Sequence, residues 1–214
     1  MDPARRPHPL SLSEIRALEK QGLDQGLPLM SRAGQCAAGL ALRYCQPCHD
    51  VWLLVGPGNN GGDALTAGAH LLNAGLTVTA IMPAEPAAQA NDARNALKQW
   101  SRIGQSTQTT LPRMDGDNAP KRPDLVIDGL FGIGLNKQLG QPWQTMIDDI
   151  NESGIPVLSL DIPSGMMADT GQCLGRPVRA RWTVAFIAPS YALYDSASRE
   201  FTGEWDVCTL GLQA

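Results

Sequence analysis

Residues 51–72, VWLLVGPGNNGGDALTAGAHLL, constrain the fold more than any other stretch of the chain. They open on an apolar run, Val51-Trp52-Leu53-Leu54-Val55, with the length and composition of a buried strand. Four glycines follow within seven residues, Gly56, Gly58, Gly61 and Gly62, and then a periodic segment with Leu65, Ala69 and Leu72 on one helical face. Strand, glycine-rich turn and helix begin an α/β ligand-binding unit, in which the helix N-terminus turns unpaired N–H groups toward an anionic ligand. The spacing Gly56-x-Gly58-x-x-Gly61 matches the dinucleotide fingerprint, a weak signal by itself. Two features set it apart. Asn59 and Asn60 fill the turn with amides, and Asp63 puts a carboxylate where a pyrophosphate would normally rest. Taken alone, Asp63 reads as a helix-capping acid, which leaves the amides unexplained.

The rest of the chain extends that unit. Ser11-Leu12-Ser13-Glu14 has capping-box spacing and starts an amphipathic helix to about Gln21, broken by Gly22 and Gly26. Pro28 opens a second helix, PLMSRAGQCAAGLALRYC, whose small residues suit close packing against another helix or subunit, so a homodimer is plausible. Strands are predicted at residues 76–82, 125–127, 156–160, 182–187 and 207–210, with helices at 87–100 and 143–150. Residues 101–122 are polar and read as a loop around one short strand. This alternation predicts an α/β fold with a mainly parallel sheet covered on both faces. With no internal repeat or linker, residues 1–214 are expected to form one domain.

Composition narrows the partners. Hydrophobic residues at 43% and charged ones at 18% are those of a soluble globular protein. A formal net charge of -4 argues against a general nucleic-acid partner but leaves room for a nucleotide. No apolar run approaches a membrane span, and the first ten residues lead into no signal-peptide core, so the cytoplasm is the expected compartment. Five cysteines there imply reduced thiols. Cys45-Gln46-Pro47-Cys48-His49 matches the patterns of haem attachment and redox CxxC, but it follows a helix and is expected to be a helix exit and turn.

In open parallel sheets ligands bind beyond the carboxyl ends of the strands. Here the strand exits carry Asp63, Asp128 and Asp161, with Asn59, Asn60 and Ser164 beside them. One such Asp is most simply a turn residue; three together are better explained as one oxygen-rich site. No His or Cys sits at these exits, so hard oxygen ligands point to potassium, magnesium or calcium. His8, His49 and His70 are the only histidines and none lies at an exit, so a hydrolytic triad is poorly supported.

GPGNNGGDALTAGAHLLNAG, DLVIDGLFGIGL and SLDIPSGMMADTG resemble, in this order, the signature blocks of the NAD(P)HX epimerase family, the YjeF N-terminal domain. The resemblance also covers SEIRALEKQGLDQGLPLMSRAG and RPVRARWTVAF, nearly the whole chain. It implies a Rossmann-like three-layer αβα sandwich that interconverts the R and S epimers of nicotinamide cofactors hydrated at C6. A partner dehydratase specific for one epimer could then restore both. By position, the resemblance implies that Asn59, Asn60, Gly61, Gly62 and Asp63 contact the substrate, NADHX or NADPHX. Gly132, Ile133, Gly134, Leu135, Asn136, Lys137 and Gln138 would form a substrate loop. Asn60, Asp128 and Ser164 would hold a potassium ion, and Asp161 would lie near the reacting ring, where a carboxylate could serve as acid–base.

Three positions depart from the family pattern. Ala64 replaces a glycine, where one methyl would crowd a close ligand. Ser31 replaces a glutamate, with an expected effect on subunit packing, and Ser190 replaces a lysine, whose loss would weaken substrate binding. Many members continue into an ADP- or ATP-dependent dehydratase domain, and an ending of Leu210-Gly211-Leu212 just after a strand would suit a truncation there. Two other functions stay open: a non-catalytic binding or scaffold module of the same fold, and an NAD-dependent oxidoreductase with Glu85 on the ribose hydroxyls.

Overall fold

A computed structural model describes residues 7–84, 91–103, 105, 107–112 and 121–212. Glu85 and the predicted start of the helix at 87–90 lie outside the described residues. Seven strands form one sheet: β1 (Asp50–Val55), β2 (Thr77–Ile81), β3 (Thr107–Gln108), β4 (Leu125–Gly129), β5 (Val157–Leu160), β6 (Trp182–Phe186) and β7 (Glu204–Cys208). Their order is β3-β2-β1-β4-β5-β6-β7, and every pairing is parallel. The chain enters at β1, runs outward to β3, then returns to β4 and runs the other way. The switch point therefore lies between β1 and β4, where a crevice opens at the strand ends.

The unbroken apolar run of β1 follows from burial on both faces. Val51, Leu53 and Val55 join one core, with α1 (Leu12–Asp24), α2 (Leu29–Tyr44), α3 (Asn59–Asn73) and α4 (Asn91–Arg102) on that side. Trp52 and Leu54 face the opposite core, where α5 (Trp143–Ser153) contributes Met146, Ile147 and Ile150. Helices thus cover both faces, giving three layers.

The capping box at Ser11 and Glu14 is present in full. Gly22, expected to break α1, lies buried within it; the helix runs on to Asp24, and the chain turns at Gly26 with φ 73°. The small residues of α2 serve packing within the chain: a Cβ on Gly34 would come within 2.5 Å of Thr66 on α3. α3 is buried well beyond the predicted stripe, because α2, α4 and the sheet all press on it; Ala64, Ala67, Gly68 and Leu71 are buried. The last strand starts at Glu204, three residues before the predicted start, and a short helix, α6 (Arg199–Thr202), precedes it.

Cys36 on α2 and Cys208 on β7 bring their sulfur atoms together, with Cα atoms 6.6 Å apart. Cys45, Cys48 and Cys173 are free. Burial, then the neighbouring Cys45, pushes the Cys48 thiol up to about 12.

Candidate functional site

A cavity of about 390 Å³ opens at the switch point. The β1 exit supplies Pro57 to Asn60 and Asp63, the β4 exit supplies Leu130 to Lys137, and β5 supplies Asp161. Three further walls were not assigned to the site from the sequence: Ile15, Arg16, Glu19 and Leu23 of α1, Leu29, Met30 and Ala33 of α2, and Phe186 and Ile187 at the end of β6. The spacing of the α1 set along one helical face was the available signal, but only the fold says what that face covers.

α3 starts directly at the cavity. Gly58 is its N-cap and supplies no side-chain cap, so the first-turn N–H groups are left for a ligand. Asp63 is not the capping acid it resembles. It lies in the second turn, 9% exposed, and lines the cavity. Burial first, then the charges of Asp161, Glu19 and Asp92, push its carboxyl well above the usual range. Gly61 and Gly62, read as substrate contacts, are not among the residues that line the cavity. A Cβ on Gly61 would overlap the Gly56 carbonyl, and one on Gly62 would meet Met30 and Ala93. Their smallness lets the turn and α4 close on the helix. Gln138, the last residue of the proposed substrate loop, is also outside the lining, whereas Gly132 to Lys137 are in it.

Asp128 is fully buried at the end of β4. Its Oδ2 accepts from Ser159 Oγ at 2.8 Å and Ser164 N at 2.9 Å. Its Oδ1 accepts from Ser164 Oγ at 2.6 Å and Leu130 N at 3.2 Å. Ser159 is the register partner of Asp128 on β5, a hydroxyl inside an otherwise apolar strand that sequence reasoning passed over. Asp128 and Ser164 are thus bonded to each other behind the cavity, and neither lines it. Burial raises the Asp128 carboxyl, against the lowering effect of these hydrogen bonds.

Asn60 lines the cavity from the other side. Its Nδ2 donates weakly to Leu160 O at 3.4 Å, and its buried Oδ1 has no partner. The start of α3 packs on the end of β4, since a Cβ on Gly129 would come within 2.8 Å of the Asn60 carbonyl oxygen. A Cβ on Gly132 would lie 2.6 Å from Asp161 Oδ2 and 3.3 Å from Asn60 Oδ1, so these two oxygens face the same loop.

Asp161 follows β5 in the left-handed region, φ 65°. Its Oδ1 accepts from Phe186 N at 3.4 Å, and the Ile133 N–H also bonds to the carboxylate. Burial outweighs these bonds and pushes the carboxyl up to about 6. Ile187, another cavity residue, has φ 69°, a strained conformation for a β-branched side chain. Such strain concentrates at ligand sites, where the surrounding fold enforces it.

None of the three departures from the family pattern lines the cavity. Ala64 is buried against Gly129, with its methyl 2.6 Å from where a Cβ there would lie. Ser190 is 1% exposed, bridges to Leu10 and does not line the cavity. Ser31 is exposed on α2.

Residues 26–192 match the family described as YjeF-related protein N-terminus. The chain belongs to that family. It is 43% identical to an NAD(P)H-hydrate epimerase of Bordetella bronchiseptica over 94% of this chain and 87% of that one. The corresponding Achromobacter xylosoxidans protein is 42% identical over 94% and 95%. A Coxiella burnetii relative named bifunctional NAD(P)H-hydrate repair enzyme Nnr is 32% identical, and the match covers 40% of its length. Among solved structures, yeast ynu0 (YNL200c) superposes with a TM-score of 0.73 at 19% identity, covering 88% of this chain and 84% of that one. That likeness concerns the fold. This member of the YjeF-related family thus keeps its Asp63, Asn60 and Asp161 around one cavity, with Asp128 and Ser164 bracing the loops behind it.

Proposed function

We propose that this protein is an isomerase that interconverts the R and S epimers of NADHX and NADPHX, in the repair of hydrated nicotinamide cofactors. The likeness to NAD(P)H-hydrate epimerases over nearly the whole chain carries this reading. The site agrees with the chemistry. The C6 hydroxyl of the substrate belongs to a hemiaminal, so epimerisation proceeds by ring opening or by loss and return of hydroxide. Either route moves a proton at oxygen and needs no strong nucleophile. Asp161, raised to about 6 and aimed into the cavity, is suited to take that proton near neutral pH and return it. Asp63 lines the same cavity, where burial and the charge of Asp161 favour its neutral form, and a neutral carboxyl can donate a hydrogen bond.

We further propose a potassium ion held by Asn60, Asp128 and Ser164. The unpartnered Asn60 Oδ1 wants a cation or donor, and Asp128 is a buried carboxylate with no ion-pair partner among the described residues. Among those residues no three His, Cys, Asp or Glu side chains converge as metal ligands, and so few charged ligands suit a monovalent ion better than calcium. Bound there, potassium would supply a fixed positive charge beside the carboxylates. Thermal unfolding should therefore rise in potassium chloride relative to tetramethylammonium chloride at equal ionic strength. Asn60→Ala should abolish the difference; equal melting of the wild type in both salts would count against the ion.

We also propose, as partner, an ADP- or ATP-dependent dehydratase activity that consumes one epimer in the cytoplasm; the Coxiella relative, named a bifunctional NAD(P)H-hydrate repair enzyme, is in keeping with a second repair activity. Among the described residues no helix is long and apolar enough to cross a membrane. The direct test follows purified R-NADHX by NMR or chromatography with the protein added. The S epimer should appear well above the spontaneous rate, and a rate equal to the spontaneous one would refute the assignment.

A further inference from the structure

Resting on that reading of the site, we infer that α1 is a substrate-binding element and that Arg16 holds the diphosphate of the dinucleotide at the cavity mouth. The charged residues around the cavity are unevenly placed. Asp63 and Asp161 lie inside, while the two cations of the lining, the exposed Arg16 and Lys137, lie toward the mouth together with the exposed acid Asp92 and the half-buried Glu19. A hydrated nicotinamide ring is neutral, whereas the diphosphate carries the negative charge. The Asp161 carboxylate disfavours the diphosphate inside the cavity and leaves the deep end to the ring.

Arg16 is built to face this ligand. Ile15, one residue before it, is 1% exposed and anchors the helix face to the core. The Leu12 N–H donates to Asp169 Oδ1 at 2.6 Å, tying the start of α1 to the segment after β5. The Arg16 Nη1 is engaged by Glu19 Oε2 at 2.9 Å, one turn along the same helix. Its Nη2 points elsewhere: a Cβ on Gly134 would lie 2.9 Å from that atom. The guanidinium is therefore oriented by Glu19 while its other edge lies against the Gly132 to Lys137 loop, and the planar fork matches phosphate oxygens. Lys137 on that loop supplies the second charge as a more flexible point cation.

The test compares two substrates, R-NADHX and the hydrate of reduced nicotinamide riboside, which has the same ring and no phosphate. Arg16→Ala should raise KM for NADHX by roughly tenfold or more relative to KM for the riboside hydrate, the loss expected for one charge-assisted hydrogen bond. kcat for NADHX should change far less than KM, and Arg16→Lys should recover part of the affinity. Circular dichroism of the variants checks that α1 is retained. An equal change for both substrates, with the wild type active, would overturn the phosphate assignment alone. A wild type inactive on both would overturn the epimerase reading and this inference with it.

Discussion

Asp161→Asn should abolish most epimerisation and at the same time make the protein more stable. The activity loss is expected at roughly a hundredfold or more, because asparagine keeps the shape and the acceptor oxygen but cannot take a proton at neutral pH. The backbone should tolerate the change, since asparagine, like aspartate, accepts the left-handed conformation that φ 65° imposes. The gain in stability follows from burial. The Asp161 carboxyl is held at about 6 in the fold, against an ordinary value near 3.8. The folded state therefore binds this proton more tightly than the unfolded chain, and stability falls as pH rises between about 4 and 6. Below about pH 4 the residue is protonated in both states and the variant should match the wild type. Above about pH 6 the wild type bears the full cost of the buried charge. The side chain opens partly on the cavity, so about 1–2 kcal/mol is expected rather than the full shift. Urea unfolding at pH 4 and pH 8 in potassium-free buffer measures both limits. On the activity side, the wild-type rate should fall as pH drops through about 6. A folded variant that epimerises NADHX at the wild-type rate would leave Asp161 as a turn residue.

Asp128→Ala should do the opposite to stability. Its two oxygens accept from Ser159 Oγ, Ser164 Oγ, Ser164 N and Leu130 N, all within a fully buried site. Removing the carboxylate strands those donors where water cannot replace it, at a cost of about 3–5 kcal/mol. Asparagine would rescue little. Each carboxylate oxygen meets a backbone N–H, Leu130 on one side and Ser164 on the other, so either orientation of the amide sets NH₂ against a donor. Any potassium dependence and most of the activity should be lost as well, because the β4 and β5 exits are fastened to each other through this residue. Denaturant midpoints for wild type, Asp128→Asn and Asp128→Ala decide it. Wild-type stability in both variants, with potassium dependence intact, would remove Asp128 from the bracing and the ion site alike.

The two carboxylates were equally prominent as strand-exit residues, and only the fold separates their roles. Local chemistry determined much. The apolar run at Val51–Val55, the glycine turn and the alternation of periodicities specify a parallel α/β sheet with its ligand at the strand exits, because burial on both faces demands continuous apolar strands. The amides of Asn59 and Asn60 and the three aspartates pointed to the site for the same local reason: polar groups gathered where apolar strands end mark the ligand crevice of a parallel sheet. Tertiary packing decided what each of them faces. Asp63 became a buried cavity acid instead of a cap because α3 begins at Asn59, one turn earlier than its carboxylate suggests. Ser159 became an anchor only through its register opposite Asp128. Gly61, Gly62 and Ala64 turned inward because α3 is pressed between helices and sheet. Arg16 reached the site from a helix far away in sequence. Sequence periodicity shows that α1 has a face; which cavity that face closes depends on contacts between segments that no local pattern encodes.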